Sequence, residues 1–408
     1  MKENYKVMRT LHINAVSGIS STGRTCVDIA TYLNNEGHDA FIAYSEGLHY
    51  IKEYKIGTVI EKKLHAIYSR VFGLQAYFSR NGTRNLLKFI EENKPDIVIL
   101  SNLHGNYINL KLLLSYIAEN DIPTIAILHD CWFYTGKCTH YTVDKCYKWK
   151  NGCDDCCRLK KDNPSLFFDR TSKIYNDKKE LFEKIPRLAI VGVSDWITNE
   201  AKKSFLSSAK KITRIYNWID IDVFKPVNTE SLRHKLKLEN KFIILGVAST
   251  WSNEKGLDKF VELANIIPED MVIILVGNIG KEINVPNNII HINETNNIDE
   301  LVEYYSMADV FLNLSLEESF GKVTAEALAC GTPIIVINST ANPELVGERC
   351  GYIIDENNIS KILNNIIHIR NTGKNYYSKH CIEYAKNNFN KYDRLRDYLE
   401  LFEELRKS

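Results

Sequence analysis

The sequence predicts an α/β protein made of two doubly wound parallel sheets, each in its own domain, facing a central cleft. Three observations predict it. The chain has 408 residues, more than one ordinary hydrophobic core supports. Its apolar residues fall in short, near-continuous Ile, Val and Leu runs, as in parallel strands buried on both faces. Those runs alternate with amphipathic helical stretches in two successive sets, the pattern of two open α/β sheets.

Each run is read as a strand in turn. In the first half they are "RTLHINAV", "DAFIAYS", "DIVILSN", "TIAILHD" and "LAIVGVS"; in the second half "FIILGVAS", "MVIILVGN", "IIHINE", "DVFLNLS" and "TPIIVIN". Helical patterns lie between them, such as "GRTCVDIATYLNNEG" (23–37), closed by a glycine, and "GTRNLLKFIEENKPD", closed by Pro95. The first set ends in the Pro-marked loop "RIYNWIDIDVFKPVNTE" (214–230). The expected domains are 1–215, carrying a Cys-rich insertion near 131–160, and 216–387. A last helix near 388–408 is expected to pack back on the first domain.

Composition excludes several classes. Lys plus Arg total 52 against 51 Asp plus Glu, a net charge of +1, which argues against a dedicated nucleic-acid binder. Apolar content of 44% with 11% aromatics is that of a packed globular chain. No apolar run reaches the roughly eighteen residues a membrane span needs. The opening "MKENYKVMRTLHINAV" is polar, then strand-like, with no secretory core. A cytoplasmic location is expected.

In open α/β sheets ligands bind at the carboxyl ends of strands, and four motifs fall there. "NAVSGISSTGRTCVDIA" places Gly18 and Gly23 in a small-residue loop between the first strand and first helix, where backbone amides can meet a phosphate. A plain strand-to-helix turn reads equally well, since no P-loop lysine follows Gly23. "ILHDCWFY" sets His129 at a strand end, followed by Asp130; His104 in "SNLHGNY" competes on the same logic. "GVASTWSNEKGLDKF" sets Lys255 before Gly256 and a helix, a compact cation suited to a diphosphate or else a solvated lysine. "LEESFGKVTAEALACGTPIIV" places Glu318 in a loop before a helix running from about Gly321 to Ala329, and Glu326 inside that helix. Val323, Ala325, Ala327 and Leu328 make the helix apolar, so Glu326 needs a partner.

Glu318, seven intervening residues and Glu326, inside "EESFGKVTAEALACGTPIIV", resemble the signature of the group 1 (family 4 type) retaining GT-B glycosyltransferases. The resemblance runs over nearly the whole chain: the glycine loop, "LHD", "VSDWI", "YNWIDIDVF", "EKG" and "VGN" occur in the family's order. It implies a GT-B fold and a nucleotide-sugar donor, UDP- or GDP-linked, bound mainly by the second domain. By family role Lys255 neutralises the donor phosphates, Glu326 holds the ribose and Glu318 contacts the donor sugar. Backbone groups of Ser319, Phe320 and Gly321 line that sugar, with Lys322, Val323 and Thr324 toward the phosphates. Asn217 lies at the interdomain crossing, and His129 beside the transferred sugar and the acceptor. Many members carry an Arg a few residues before the "EKG" lysine; here Ser249 and Thr250 stand near that place, and Arg24 is a candidate substitute. The implied reaction is transfer with retention by front-face attack onto a growing lipid-linked bacterial polysaccharide or glycolipid, with no cofactor required. A nucleotide-sugar epimerase of the same architecture, and a donor-binding protein with a zinc loop and no transfer activity, are the alternatives.

Two local features stand apart. Six of the ten cysteines fall between Cys131 and Cys157, and Cys138, Cys146, Cys153 and Cys156 follow a C-x7-C-x6-C-x2-C spacing. Four thiolates can make a tetrahedral structural zinc site that staples a loop with little core of its own; His140 and Cys157 are spare ligands, and a reduced Cys-rich loop is the alternative. From Lys52 to Lys88, eight Lys or Arg stand against Glu53 and Glu61. Ile67, Val71, Leu74 and Phe78 follow helical spacing there, with Tyr68, Phe72 and Tyr77 alongside. A basic, aromatic-rich amphipathic helix suits an anionic membrane surface, so peripheral attachment at the inner face of the membrane is expected. A core-facing helix with a solvated outer face is the other reading.

Overall fold

The computed structural model describes residues 7–280, 285–355 and 358–407. The opening residues 1–6, part of the stretch read above as lacking a secretory core, lie outside it. The chain divides into two compact units, Met1–Ile215 with Leu395–Ser408, and Tyr216–Arg394.

Unit 1 is built on strands β1 (Arg9–Ser17), β2 (Asp39–Gly47), β3 (Glu53–Lys55), β4 (Ile97–Leu100), β5 (Thr124–Leu128), β6 (Leu188–Gly192) and β7 (Lys211–Arg214). They form one sheet in the order β3-β2-β1-β4-β5-β6-β7, every pair parallel, with Thr10 opposite Ile97 and Thr124 opposite Leu188. The chain winds outward from β1 in one direction, then returns to β4 and winds outward in the other. That reversal, between β1 and β4, is where the carboxyl ends of neighbouring strands leave a crevice. The helices are α1 (Ser20–Asn35), α2 (Val59–Phe72), α3 (Arg80–Asn93), α4 (Leu110–Glu119), α5 (Thr171–Glu183) and α6 (Asp195–Lys202).

Unit 2 repeats the plan with β8 (Phe242–Thr250), β9 (Met271–Asn278), β10 (Ile289–Ile292), β11 (Val310–Asn313), β12 (Ile334–Ile337) and β13 (Gly351–Ile354). Their order is β10-β9-β8-β11-β12-β13, again all parallel, so its reversal falls between β8 and β11. Its helices are α7 (Glu230–Leu236), α8 (Leu257–Ala264), α9 (Ile298–Met307), α10 (Lys322–Ala329), α11 (Ile359–Thr372) and α12 (Lys374–Phe389). The chain ends in α13 (Lys391–Lys407), whose Leu395, Tyr398, Phe402 and Leu405 are buried.

All ten apolar runs form strands. The three strands outside them are β3, β7 and β13, and each is a sheet edge. An edge strand is covered less completely: the residues of β7, "KITR", are all half-buried, so no continuous apolar run marks it. Two helix starts also differ. α1 begins at Ser20 rather than Gly23, and α3 at Arg80. The amphipathic stretch in the basic segment is cut as well: α2 ends at Phe72, where Gly73 closes it in the left-handed conformation, and Leu74, Tyr77 and Phe78 lie in the connection to α3.

Candidate functional site

In unit 2 the two loops at the β8/β11 reversal come together. After β8 the chain makes a turn, Asn253–Lys255, capped by Ser252, whose hydroxyl accepts the Lys255 amide at 3.3 Å. Gly256 follows at φ +81°, and a Cβ there would stand 2.6 Å from both Cβ and the carbonyl oxygen of Leu314. Only glycine lets the turn pack so tightly on the β11 loop. The Leu316 amide donates to the Glu254 carbonyl at 2.9 Å, tying the two loops. Across that tie the Lys255 ammonium meets Glu318 Oε1 at 2.7 Å.

Glu318 itself is fixed. Its amide donates to Thr340 Oγ1 at 2.8 Å and its carbonyl accepts from the Ala341 amide at 3.2 Å. Beneath it a buried amide network sets the approach to α10. Asn313 Nδ2 donates to Thr324 Oγ1 (2.9 Å) and to Asn342 Oδ1 (3.2 Å), Asn313 Oδ1 accepts the Ser315 amide (3.1 Å), and Asn342 Nδ2 donates to the Ser315 carbonyl (2.9 Å). Gly321, at φ +92°, opens α10 with no side chain capping the helix. Exposed amides of a first helical turn favour an anion. One turn on, Glu326 Oε2 accepts the Tyr305 hydroxyl at 2.8 Å, the partner its apolar helix required. Burial, with Glu326 alongside, pushes the Tyr305 phenol well above its ordinary value, so it stays a donor.

The other residues singled out in this half of the chain are placed as follows. Phe320 is buried, packing at 5.9 Å on Tyr216 and 5.3 Å on Phe389. Ser319 and Val323 are half-buried, and the Lys322 ammonium lies 6.0 Å from the Trp218 ring. The Thr324 hydroxyl accepts from Asn313, and its amide donates to the Gly321 carbonyl at 3.0 Å. Asn217 is buried. Ser249 and Thr250 are exposed at the end of β8.

In unit 1, Gly18 and Gly23 lie at the end of β1, where the Gly18 amide donates to the Gly23 carbonyl at 3.1 Å. Gly23 is inside α1 rather than in a loop before it, and Arg24 is exposed. His129 follows β5 and is buried. Around it the fold gathers polar residues that sequence spacing does not connect. His12 of β1 pairs through Nε2 with Ser101 Oγ at 2.7 Å. Burial, with His129 adding to it, pushes the His12 imidazole down to about 3. His104, after β4, pairs through Nε2 with Asp130 Oδ2 at 2.9 Å. Burial opposes the Asp130 charge, but His104 and the Trp132 amide (2.8 Å to Oδ1) outweigh it and hold the carboxyl below its usual range.

The Cys-rich insertion departs from expectation in two ways. It has a core of its own, in which Trp132, Tyr134, Tyr141 and Trp149 are buried, and Tyr134 and Trp149 pack edge to face at 4.9 Å. Two buried ammonium groups staple it. Lys178 donates to the carbonyls of Trp132 (2.5 Å) and Thr135 (2.9 Å), and Lys137 to those of Arg158 (2.7 Å), Leu159 (3.1 Å) and Lys161 (2.8 Å). The expected zinc set, Cys138, Cys146, Cys153 and Cys156, is not assembled. Cys138 is hydrogen-bonded to Cys156, Cys146 to Cys157, and the Cys153 sulfur accepts the Gly136 amide at 3.2 Å. Among the described residues no group of three or more His, Cys, Asp or Glu is placed to hold a metal ion.

Two units of parallel, doubly wound sheet are the GT-B architecture, and solved structures share this fold. A glycosyltransferase from Rickettsia africae ESF-5 superposes with a TM-score of 0.71 at 16% identity, over 98% of this chain and 99% of that one. Anabaena HepE in complex with UDP and glucose superposes with a TM-score of 0.69 at 16% identity, over 97% and 100%. Residues 22–223 match the family described as Glycosyltransferase Family 4, and residues 228–388 match Glycosyl transferases group 1. The chain belongs to the group 1 glycosyltransferases. Spore coat protein SA of Bacillus subtilis (strain 168) is 30% identical over 193 residues, 41% of this chain and 51% of that protein. The UDP-Gal:alpha-D-GlcNAc-diphosphoundecaprenol alpha-1,3-galactosyltransferase of Escherichia coli is 27% identical over 215 residues, 47% and 54%. The chain thus spans about half the length of these curated relatives.

Proposed function

We propose that the chain transfers a sugar, with retention, from a nucleotide-sugar donor to a growing lipid-linked acceptor of a bacterial surface polysaccharide or glycolipid. The observation that carries this is the Lys255–Glu318 pair at the β8/β11 reversal, beside the uncapped first turn of α10. On donor binding the Lys255 ammonium turns from Glu318 to the diphosphate, together with α10 amides at Lys322 and Val323. Glu318 then meets the hydroxyls of the donor sugar, and Glu326, which keeps the Tyr305 hydroxyl at Oε2, meets those of the ribose. Ser319, Phe320 and Gly321 offer backbone to the sugar, with Asn217, Gly18 and Gly23 as further donor contacts and His129 beside the transferred sugar. The bond from the anomeric carbon to the diphosphate breaks, the acceptor oxygen bonds to that carbon from the same face, and the leaving phosphate oxygen takes the acceptor proton. Such catalysis is electrostatic and positional.

UDP- and GDP-sugars both fit this reading. The relative named for UDP-Gal and the HepE complex containing UDP favour the first. A thermal-shift screen of nucleotide sugars tests donor binding, since a ligand that binds only the native state raises its apparent stability. The anomeric configuration of the product, read by NMR, tests retention. A chain that no nucleotide sugar stabilises overturns the proposal.

The acceptor's lipid agrees with the surface of unit 1. On α2, Ile60 is 72% and Ile67 52% exposed, with Val59, Leu64, Tyr68 and Phe72 exposed beside them, and Phe167 is 70% exposed. Among the described residues no helix is long and apolar enough to cross a membrane. We propose peripheral attachment at the cytoplasmic face through these apolar side chains and the surrounding lysines and arginines. Co-sedimentation with anionic vesicles at low salt that is unchanged in Lys62→Glu/Lys63→Glu excludes this face.

A further inference from the structure

We propose that the His104 ring, oriented by Asp130, is the acceptor-hydroxyl contact of unit 1. The inference rests on the glycosyltransferase reading above and adds the residue that meets the incoming hydroxyl. His104 follows β4 and Asp130 follows β5, so parallel pairing brings two residues 26 positions apart to the carboxyl ends of adjacent strands, next to the β1/β4 reversal.

The geometry of the pair is directional. Asp130 is held at both oxygens, Oδ1 by the Trp132 amide at 2.8 Å and Oδ2 by His104 Nε2 at 2.9 Å, and its side chain is 12% exposed. The His104 side chain is 20% exposed, so the carboxylate is the more enclosed member and the ring keeps an open edge. An ionised carboxylate only accepts hydrogen bonds, so the Nε2–H of His104 must donate to it. In the neutral ring Nδ1 is then the acceptor, ready for a hydroxyl proton. A second set of bonds fixes the backbone that carries the ring. Gln75 Nε2 donates to the His104 carbonyl at 2.7 Å, Gln75 Oε1 accepts the Trp132 indole N–H at 2.7 Å, and the His104 and Trp132 rings lie 5.8 Å apart. A pair needed only to pin the loop requires no such fixed tautomer.

The test is calorimetric affinity for a soluble short-chain lipid-diphosphate GlcNAc, measured without donor, alongside steady-state transfer to the same acceptor. His104→Ala is expected to bind it about tenfold more weakly, the usual effect of one lost hydrogen bond, and to raise the acceptor KM with a smaller change in kcat. His104→Asn, whose Oδ1 can stand where Nδ1 does, should recover most of the loss. Asp130→Asn, which releases the tautomer, should lose as much as His104→Ala. The donor-induced rise in melting temperature should persist in all three, which also shows that they fold. Unchanged acceptor affinity in His104→Ala, failure of His104→Asn to recover it, or loss of the donor response together with acceptor binding overturns the assignment. Failure of the wild-type chain to respond to any nucleotide sugar sinks the glycosyltransferase reading instead, and is seen separately.

Discussion

Replacing Lys255 by Met separates the electrostatic role assigned to this residue from any role in holding the fold. Its ammonium is 2.7 Å from Glu318 Oε1, with the lysine side chain 39% and the glutamate 18% exposed. A pair this open to water is worth about 0–1 kcal/mol, because solvent screens it and two side chains must be ordered. Glu318 also keeps its backbone anchors to Thr340 and Ala341. Lys255→Met should therefore move the melting temperature by no more than about 2–4 °C. Transfer is another matter. If the ammonium meets charge that develops on the leaving diphosphate, its loss should lower kcat by about 10²–10³-fold, the usual effect of removing one preorganised group that stabilises the transition state. Initial rates of sugar transfer under saturating donor, with melting curves on the same samples, make the comparison. Transfer within about fivefold of wild type would refute the reasoning. So would a collapse in stability, because Lys255 would then be a structural residue.

Three further outcomes follow from the same structure. Glu326→Ala should raise the donor KM about tenfold or more through loss of two ribose hydrogen bonds, while Tyr305→Phe, which removes only the hydroxyl bonded to Glu326 at 2.8 Å, should have the smaller effect in the same kinetics. Burial pushes His65 down to about 4 and, with His129 adding to it, His12 down to about 3; the unfolded chain takes up a proton near 6.5 that the folded chain refuses, so stability falls as pH drops from 7 toward 4 by about 2 kcal/mol per histidine at pH 5. The gap between urea midpoints at pH 7.5 and 5.0 should narrow by the His65 share in His65→Gln, with the His12 share remaining, and an unchanged pH slope in that variant defeats the argument. Lys178→Met strips the carbonyls of Trp132 and Thr135 of a donor at a buried site, so it should cost about 3 kcal/mol and open the insertion to limited proteolysis before the rest of the chain.

The central strands were legible because burial on both faces leaves a continuous apolar run. β3, β7 and β13 were not: these edge strands are covered less completely and carry residues such as Lys211 and Arg214, whereas the edge strand β10 keeps an apolar "IIHI". The insertion shows a different limit. Its cysteines drew attention by number and spacing, yet spacing says nothing of direction: Cys138 and Cys156 face each other, Cys146 faces Cys157, and Cys153 accepts a backbone amide. The residues that give it a core, Trp132, Tyr134, Tyr141 and Trp149, stand in the same stretch and were the better signal. Lys178, which staples it, lies on α5, where nothing local distinguishes it from a solvated lysine.

The candidate residues of the two units differ in how far sequence can reach them, for a reason rooted in topology. In unit 2 the residues assigned to the donor come from two short stretches, one turn before α8 and one loop leading into α10. Each is compact enough for its spacing to reflect a single local geometry, so Glu318, Glu326 and Lys255 could be picked out before the structure was known. In unit 1 the polar cluster is assembled across the sheet: His12 from β1, Ser101 and His104 after β4, His129 and Asp130 after β5. The His12–Ser101 bond joins residues 89 positions apart, and no period in the sequence relates them. Parallel register does: it sets His12, in the middle of β1, opposite Ile99 of β4, two residues before Ser101, while His104 and His129 follow the ends of β4 and β5. A sequence reading that first fixes the strand order can therefore list which polar residues end β1, β4 and β5, and those are the residues among which an acceptor site should be sought. By that rule His104 and His129, both singled out from their strand ends in the sequence, stand together, and the His104 variants are the more informative first experiment on this unit.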